Sequence, residues 1–308
     1  MNDREMLEKV YTDIGRHLNA EEPEPIPPDT EPPDSDVPEE PAPSLTKSNP
    51  FYLDGGRDIV IENYLIQKEI TPDAGHAIYF GPGEYGDVTI RNCEFRDLEG
   101  FVYFHYDAVI KGNIVFRDVV MQGHCRSGVR ITQCTGDGWI VFERCKVGGC
   151  VPMKDVNGKA LHGSSFSNRK QFNLRIDECE VSGYTPTSPI CLYQNKYPVE
   201  GYHHIELINN YVRDTNHYVN LHDLGHHIRI VGNKFIAKEL DRDDPRWRYY
   251  VALMLHAAQN KDKSTVDICD NILRGRFDPK SFAECCHNNQ VWYSCEDLPE
   301  GNIIEVAR

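Results

Sequence analysis

Eight segments of the chain share one arrangement of apolar and polar residues. They read "IVIENYLI" from Ile59, "VTIRNCEF" from Val88, "IVFRDVVM" from Ile114, "IVFERCKV" from Ile140, "LRIDECEV" from Leu174, "IELINNYV" from Ile205, "IRIVGNKF" from Ile228 and "VDICDNIL" from Val266. The first, third and eighth places are apolar in every one, and the sixth reads Tyr64, Cys93, Val119, Cys145, Cys179, Asn210, Asn233 and Asn271. Between them runs a shorter alternation: "AIYFG" from Ala77, "FVYFH" from Phe101, "GVRIT" from Gly128, "KALHG" from Lys159, "ICLYQ" from Ile190, "YVNLH" from Tyr218 and "ALMLH" from Ala252. Alternation with period two marks strands with one buried face, so each unit predicts strand, bend and strand, without a helix.

The second residues of the shorter series, Ile78, Val102, Val129, Ala160, Cys191, Val219 and Leu253, follow one another at intervals of 24 to 34 residues. Self-similarity on that scale predicts a solenoid. One such unit cannot bury its apolar face, but units stacked at the strand spacing of about 4.8 Å share a continuous core. A residue at the bend then lies on its counterpart in the next coil. Facing inward, it must be apolar or hydrogen-bond its own kind, because an unpaired buried amide costs a few kcal/mol. Cys93, Cys145, Cys179, Asn210, Asn233 and Asn271 are therefore predicted to form an interior ladder, and the same alignment turns Cys191 inward.

The "GIxL" strand followed by an "NxIxxNxI" segment, repeated over about Phe51 to Arg274, resembles the right-handed parallel β-helices, the pectin-lyase-like solenoids. The resemblance implies an all-β chain: a right-handed parallel β-helix solenoid of about seven to eight coils at residues 50–275, with an extended N-terminal arm. Among such solenoids the chain is most similar to tailed-phage virion proteins of decoration, collar or tailspike type. Because pectate lyases and polygalacturonases share the fold with non-catalytic virion proteins, the resemblance implies no single activity.

In the enzymes of that family, substrate lies across the outward side of the "GIxL" sheet, and catalytic carboxylates project from neighbouring coils. The corresponding rows here are Tyr79, Tyr103, Arg130, Leu161, Leu192, Asn220, Met254, and beside them Gly81, His105, Thr132, Gly163, Gln194, His222, His256. Neither contains Asp or Glu, so no catalytic residue is assigned. Tyr79, Tyr103, Arg130, His105 and His222 remain as candidates for contact with sugar through stacking and hydrogen bonds. His204 and His227 occupy the same place one coil apart, which predicts stacked imidazoles about 4.8 Å from each other. No metal site and no cofactor is assigned.

A formal net charge of -15 and a pI near 5.3 argue against nucleic-acid or anionic-membrane partners, which need clustered Lys and Arg. "MNDREMLEKV" lacks a basic region leading into an apolar run, which predicts synthesis in a host cytoplasm without a signal peptide. Residues 1–19 place Leu7, Val10, Tyr11, Ile14 and Leu18 on one face of a short docking helix. Residues 20–49 form an acidic, proline-rich extended tether, of which residues 21–43 cannot become helix or sheet. Residues 276–308 follow the last clear repeat as a cap or interaction segment. Of eleven cysteines, Cys125, Cys134 and Cys150 fall in bends, Cys269 sits at an outward place, and Cys285, Cys286 and Cys295 follow the repeats. These seven are candidates for disulfides within or between chains. The resemblance and the arm together imply a non-enzymatic structural protein of a tailed-phage virion. In that setting the chain is a homo-oligomer that meets other virion proteins through residues 1–49 and 276–308. The alternative is a polysaccharide-binding or depolymerising β-helix protein: a tailspike, lyase or glycoside hydrolase.

Overall fold

The computed structural model of the chain describes residues 44–132, 134–151, 153–154, 160–161, 163–168, 172–182, 189–192, 204–215, 219–222, 227–237, 253–256, 265–275 and 303–306. The proposed docking helix, the tether up to residue 43, His162, Gln194, and Cys285, Cys286 and Cys295 lie outside them. The described residues form an all-β parallel solenoid and contain no helix. Its described course amounts to about five turns rather than the seven to eight expected from the repeats. Beyond Ser182 the description is of separate strands, which continue in register in the same sheets.

Three parallel walls surround the core. The first stacks Phe51–Leu53, His76–Phe80, Gly100–Phe104, Val129–Ile131, Phe166–Asn168, Ile190–Leu192, Val219–His222 and Leu253–His256. The second contains the strands that begin the eight-residue segments, from Ile59–Glu62 to Thr265–Cys269, and the third those that end them, from Tyr64–Gln67 to Ile272–Gly275, flanked at its edges by Thr46–Lys47 from the expected tether and Ile303–Val306 from the expected C-terminal segment. A narrow sheet of Gly83–Tyr85, Ala108–Ile110 and Thr135–Gly136 joins the first wall to the second. Every wall pairs like with like, for example Ile114 with Ile140 and Phe116 with Phe142. Identical rings therefore stack inside: Phe80 on Phe104 at 4.5 Å and Phe116 on Phe142 at 4.6 Å, each pair nearly parallel.

The bend between the second and third walls has one backbone solution. The residue before the corner, Asn63, Asn92, Asp118, Arg144, Glu178, Asn209, Gly232 or Asp270, has φ between 49° and 68° in every coil. Left-handed backbone there turns the chain and sends the next side chain into the core. Cys93, Cys145, Cys179, Asn210, Asn233 and Asn271 are all buried. The asparagines form a continuous hydrogen-bonded ladder. Asn210 Oδ1 accepts the Cys179 N–H, Asn233 Oδ1 the Asn210 N–H and Asn271 Oδ1 the Asn233 N–H, each at 2.9 Å. Each Nδ2 also donates to a carbonyl one coil back: Ile176, Leu207 and Ile230, all at 2.7 Å. The cysteines do more than fill apolar space. Cys179 Sγ accepts the Cys145 N–H at 3.3 Å, and the Cys145 and Cys179 thiols donate to the Phe116 and Phe142 carbonyls at 3.5 Å. Sulfur thus makes, more weakly, the same two bonds as the asparagine amide.

Three expectations are corrected. Cys191 pairs with Ser167 in the row next to Ile190 and is half-buried, because the register that aligns Ile78, Val102 and Val129 continues to Phe166 and Ile190. Ala160–Leu161 is no coil strand. It pairs antiparallel with Met153–Lys154 in a hairpin, and Phe166–Asn168 takes its place in the wall. Cys125, Cys134 and Cys150, expected to be exposed in bends, are buried instead. The chain turns inward there, and His124, Cys125 and Cys150 pack beneath the corner between the third and first walls.

Candidate functional site

In-register stacking of the first wall lines up its outward residues: Tyr52, Tyr79, Tyr103, Arg130, Ser167 and Cys191, with Asn220 and Met254 at the same register position further on. Leu192 is buried and Leu161 belongs to the hairpin, so Ser167 and Cys191 replace them in the row. The column begins with three tyrosines on successive coils. Tyr52 and Tyr79 lie 5.8 Å apart at 40°, and Tyr79 and Tyr103 lie 5.1 Å apart within 5° of parallel. The Arg130 guanidinium covers the far end, 5.6 Å from the Tyr103 centroid. Tyr52 is 68% exposed and Tyr106, beside the column, 54%.

The flanks hold imidazoles. His76 lies against Tyr103 at 5.2 Å on the side of Gly100, where a Cβ would meet the His76 ring at 2.8 Å. The missing side chain at Gly100 makes room for that ring. Burial, reinforced by Arg130 and Arg126, lowers the His76 pKa to about 4, so the ring is neutral at physiological pH. On the other flank His105 sits 6.2 Å from Tyr79 and 3.9 Å from Tyr106, and its Nδ1 accepts the Asp107 N–H at 3.2 Å. Burial raises the Tyr79 pKa, and Tyr103, Tyr106, Asp54 and Tyr52 push it the same way. The phenol therefore stays protonated as a hydrogen-bond donor. Together these groups turn the edges and hydroxyls of stacked rings to solvent, flanked by imidazoles and closed by the Arg130 guanidinium.

Four of the five residues expected to contact sugar, Tyr79, Tyr103, Arg130 and His105, come together here. His222 does not. Its strand is four places along the wall from that of His105, about 19 Å at the strand spacing. Thr132, placed outward by the sequence, is buried and donates its hydroxyl to the Phe104 carbonyl at 2.6 Å. Gly81 is buried as well, packed against Leu53 and Asp54 of the preceding coil. Tyr52, His76 and Tyr106 are members of the site that sequence reasoning missed. "FYL" at Phe51 alternates as "IYF" does and carried the signal for Tyr52. Nothing in the local pattern marks His76 or Tyr106, which lie next to a turn.

Compared with known proteins, the chain matches no family model, no curated protein and no solved structure. The likeness to pectin-lyase-like solenoids therefore rests on the repeat pattern, and the coordinates support it as far as a parallel β-solenoid.

Proposed function

We propose that this chain is a non-enzymatic solenoid that holds an extended glycan along the Tyr52–Tyr79–Tyr103 column, with Arg130 at its end. The in-register tyrosine column carries the reading. Three rings repeat at the coil spacing on a rigid wall, so they lose little freedom on binding; with Tyr79 and Tyr103 turned face to face, a sugar chain meets their edges and hydroxyls, the flanking imidazoles and the outer face of Tyr52. Fully polar outer faces of a solenoid have no need of three aligned phenols. The row itself contributes no carboxylate, so it offers binding without the paired acid and base of glycosidic cleavage.

Affinity electrophoresis through gels containing capsular, O-antigen or plant polysaccharides tests this. The expected result is retardation by at least one polymer, weakened roughly 5- to 30-fold in Tyr79→Ala or Tyr103→Ala, the loss typical of a central aromatic contact. Unretarded migration in every polymer would overturn the glycan reading. New reducing ends or unsaturated uronates would overturn its non-enzymatic half.

Membership of a tailed-phage virion is a second reading, supported by the sequence of the N-terminal arm, where an amphipathic stretch precedes an acidic, proline-rich tether. In that reading residues 1–49 and 276–308 contact other virion proteins and copies of this chain. Burial of Cys125, Cys134 and Cys150 argues against stapling between subunits through these three. Mass spectrometry of purified particles from the source culture tests it, and absence of the chain from them would refute it.

A further inference from the structure

A second ring column stands on a different wall. Trp139, the start of Leu174's strand, His204 and His227 occupy one row at the entry to the second wall, where His204 pairs with His227. Asn173 belongs between Trp139 and His204, but its side chain turns into the backbone. Its amide donates to the Gly138 carbonyl at 3.1 Å, and its Oδ1 accepts the His204 N–H at 3.0 Å. With that position vacated, the Trp139 ring reaches the His204 ring at 5.5 Å, and His204 in turn stacks on His227 at 4.8 Å and 17°. His204 is half-buried and His227 is exposed, so the stacked pair opens to solvent on one side.

We infer that His204 and His227 form a bidentate imidazole site for a divalent late transition metal. Both donors stand on adjacent strands of a rigid sheet, which fixes their separation in advance. Side by side, the rings reach a common metal at a cis angle, for which two metal–nitrogen bonds of 2.0–2.1 Å put the donor nitrogens about 3 Å apart. From 4.8 Å, the stacked rings must therefore splay until their nitrogen ends have closed by nearly 2 Å, with exposed His227 supplying most of the rotation. An imidazole has two nitrogens and ligation uses one, so other contacts of these rings are compatible with it. Glu206, two residues along the same strand, lies 3.6 Å from both Arg175 and Arg229 and is held by them. Among the described residues no group of three or more potential ligands assembles, so these residues supply two donors to the site. Imidazole pairs of this kind favour Ni(II) and Cu(II) over Zn(II) when geometry is unconstrained, except that Zn(II) competes with Ni(II) at tetrahedral sites. The site lies on a different wall from the tyrosine column and is independent of the glycan reading.

Nickel chloride is the probe, because Ni(II) leaves the eleven thiols unoxidised. The full chain is titrated by calorimetry and by tryptophan fluorescence. The expected result is a saturable event near one equivalent, accompanied by partial quenching from Trp139. His204→Gln and His227→Gln should each weaken binding at least tenfold, while Trp139→Phe should remove the quenching and keep the heat. A wild-type titration without saturable heat, or binding and quenching that persist in both glutamine variants, would overturn the inference.

Discussion

Asn210 is the most informative residue to perturb, because its buried side chain makes three hydrogen bonds. Its Oδ1 accepts the Cys179 N–H at 2.9 Å, and its Nδ2 donates to the Ile176 carbonyl at 2.7 Å and to Asn233 Oδ1 at 2.9 Å. Asn210→Ala strands the Cys179 N–H. The Ile176 carbonyl keeps its ladder bond to the next coil, where Ile176 pairs with Leu207, and Asn233 Oδ1 keeps the Asn210 N–H. One buried orphan at roughly 1–3 kcal/mol gives a loss of about 2 kcal/mol. That corresponds to a fall in Tm of about 5 °C for a domain of this size. Asn210→Cys is the decisive companion, since Cys179 already performs both tasks with sulfur one coil earlier. Its cost should be no more than about 1 kcal/mol. Solenoids unfold by neighbouring units, so hydrogen exchange at the Cys179, Asn210 and Asn233 amides is the assay, with thermal melting beside it. The alanine variant should lose protection at Cys179 first, and the cysteine variant should retain most of it. Equal losses in the two variants, or an alanine cost below about 1 kcal/mol, would refute the claim that the corner works through hydrogen bonds.

Further outcomes follow from the same coordinates. A Cβ at Gly138 would run into the Gly112 backbone carbonyl, so Gly138→Ala should cost at least 3 kcal/mol, on the order of other severe overpacking, and reduce soluble yield. Glu178 is exposed and has φ 52°, so Glu178→Gly should relieve strain and raise stability by about 0.5–1 kcal/mol in denaturant titrations. His124 is fully buried, and burial lowers its pKa from 6.5 to about 4. The unfolded chain therefore binds more protons between those values, and stability present above pH 6.5 is lost as pH falls toward 4. The loss reaches about 3 kcal/mol. His124→Phe should flatten the Tm-against-pH curve over that window, less the part due to His76, whose pKa is also lowered to about 4.

The fold was legible because solenoid stacking repeats one physical demand many times. Each coil must bury the same places, so alternation and the corner column could be read directly from "VTIRNCEF" and its relatives. What eluded the sequence were departures from the repeat. The long connection after Cys150 contains two stretches that alternate, "KALHG" and "SFSN", and only pairing partners decide between them. Val129 lies against Phe166, so the second is in the wall and the first folds back on Met153–Lys154. The same slip displaced Cys191 by one residue, and in a strand one residue exchanges inside for outside. Bends were misjudged for a related reason. Their place in bends suggested exposure for Cys125 and Cys150, whereas both are buried.

The functional face illustrates how a site can arise from register alone. Tyr52, Tyr79 and Tyr103 are separated by 27 and then 24 residues in the chain, yet the coil rise brings their rings to 5–6 Å. Sequence alternation placed Tyr79 and Tyr103 outward because Ile78 and Val102 must face in, and the register that sets Phe51 on Ile78 adds Tyr52. His76 joined them through a turn whose only sequence mark is Gly75, with φ 74°, and through the space that Gly100 leaves open. Filling that space separates the two contributions. Gly100→Ala pushes into His76 while leaving the tyrosines in place, so it should weaken glycan retardation if the imidazole positions Tyr103, and leave it unchanged if the column acts alone. Circular dichroism and Tm distinguish either result from a loss of fold, since the Ser127 carbonyl also lies 2.5 Å from a Cβ at Gly100. Retained retardation in a folded Gly100→Ala variant would remove His76 from the site and confine recognition to the phenols and Arg130.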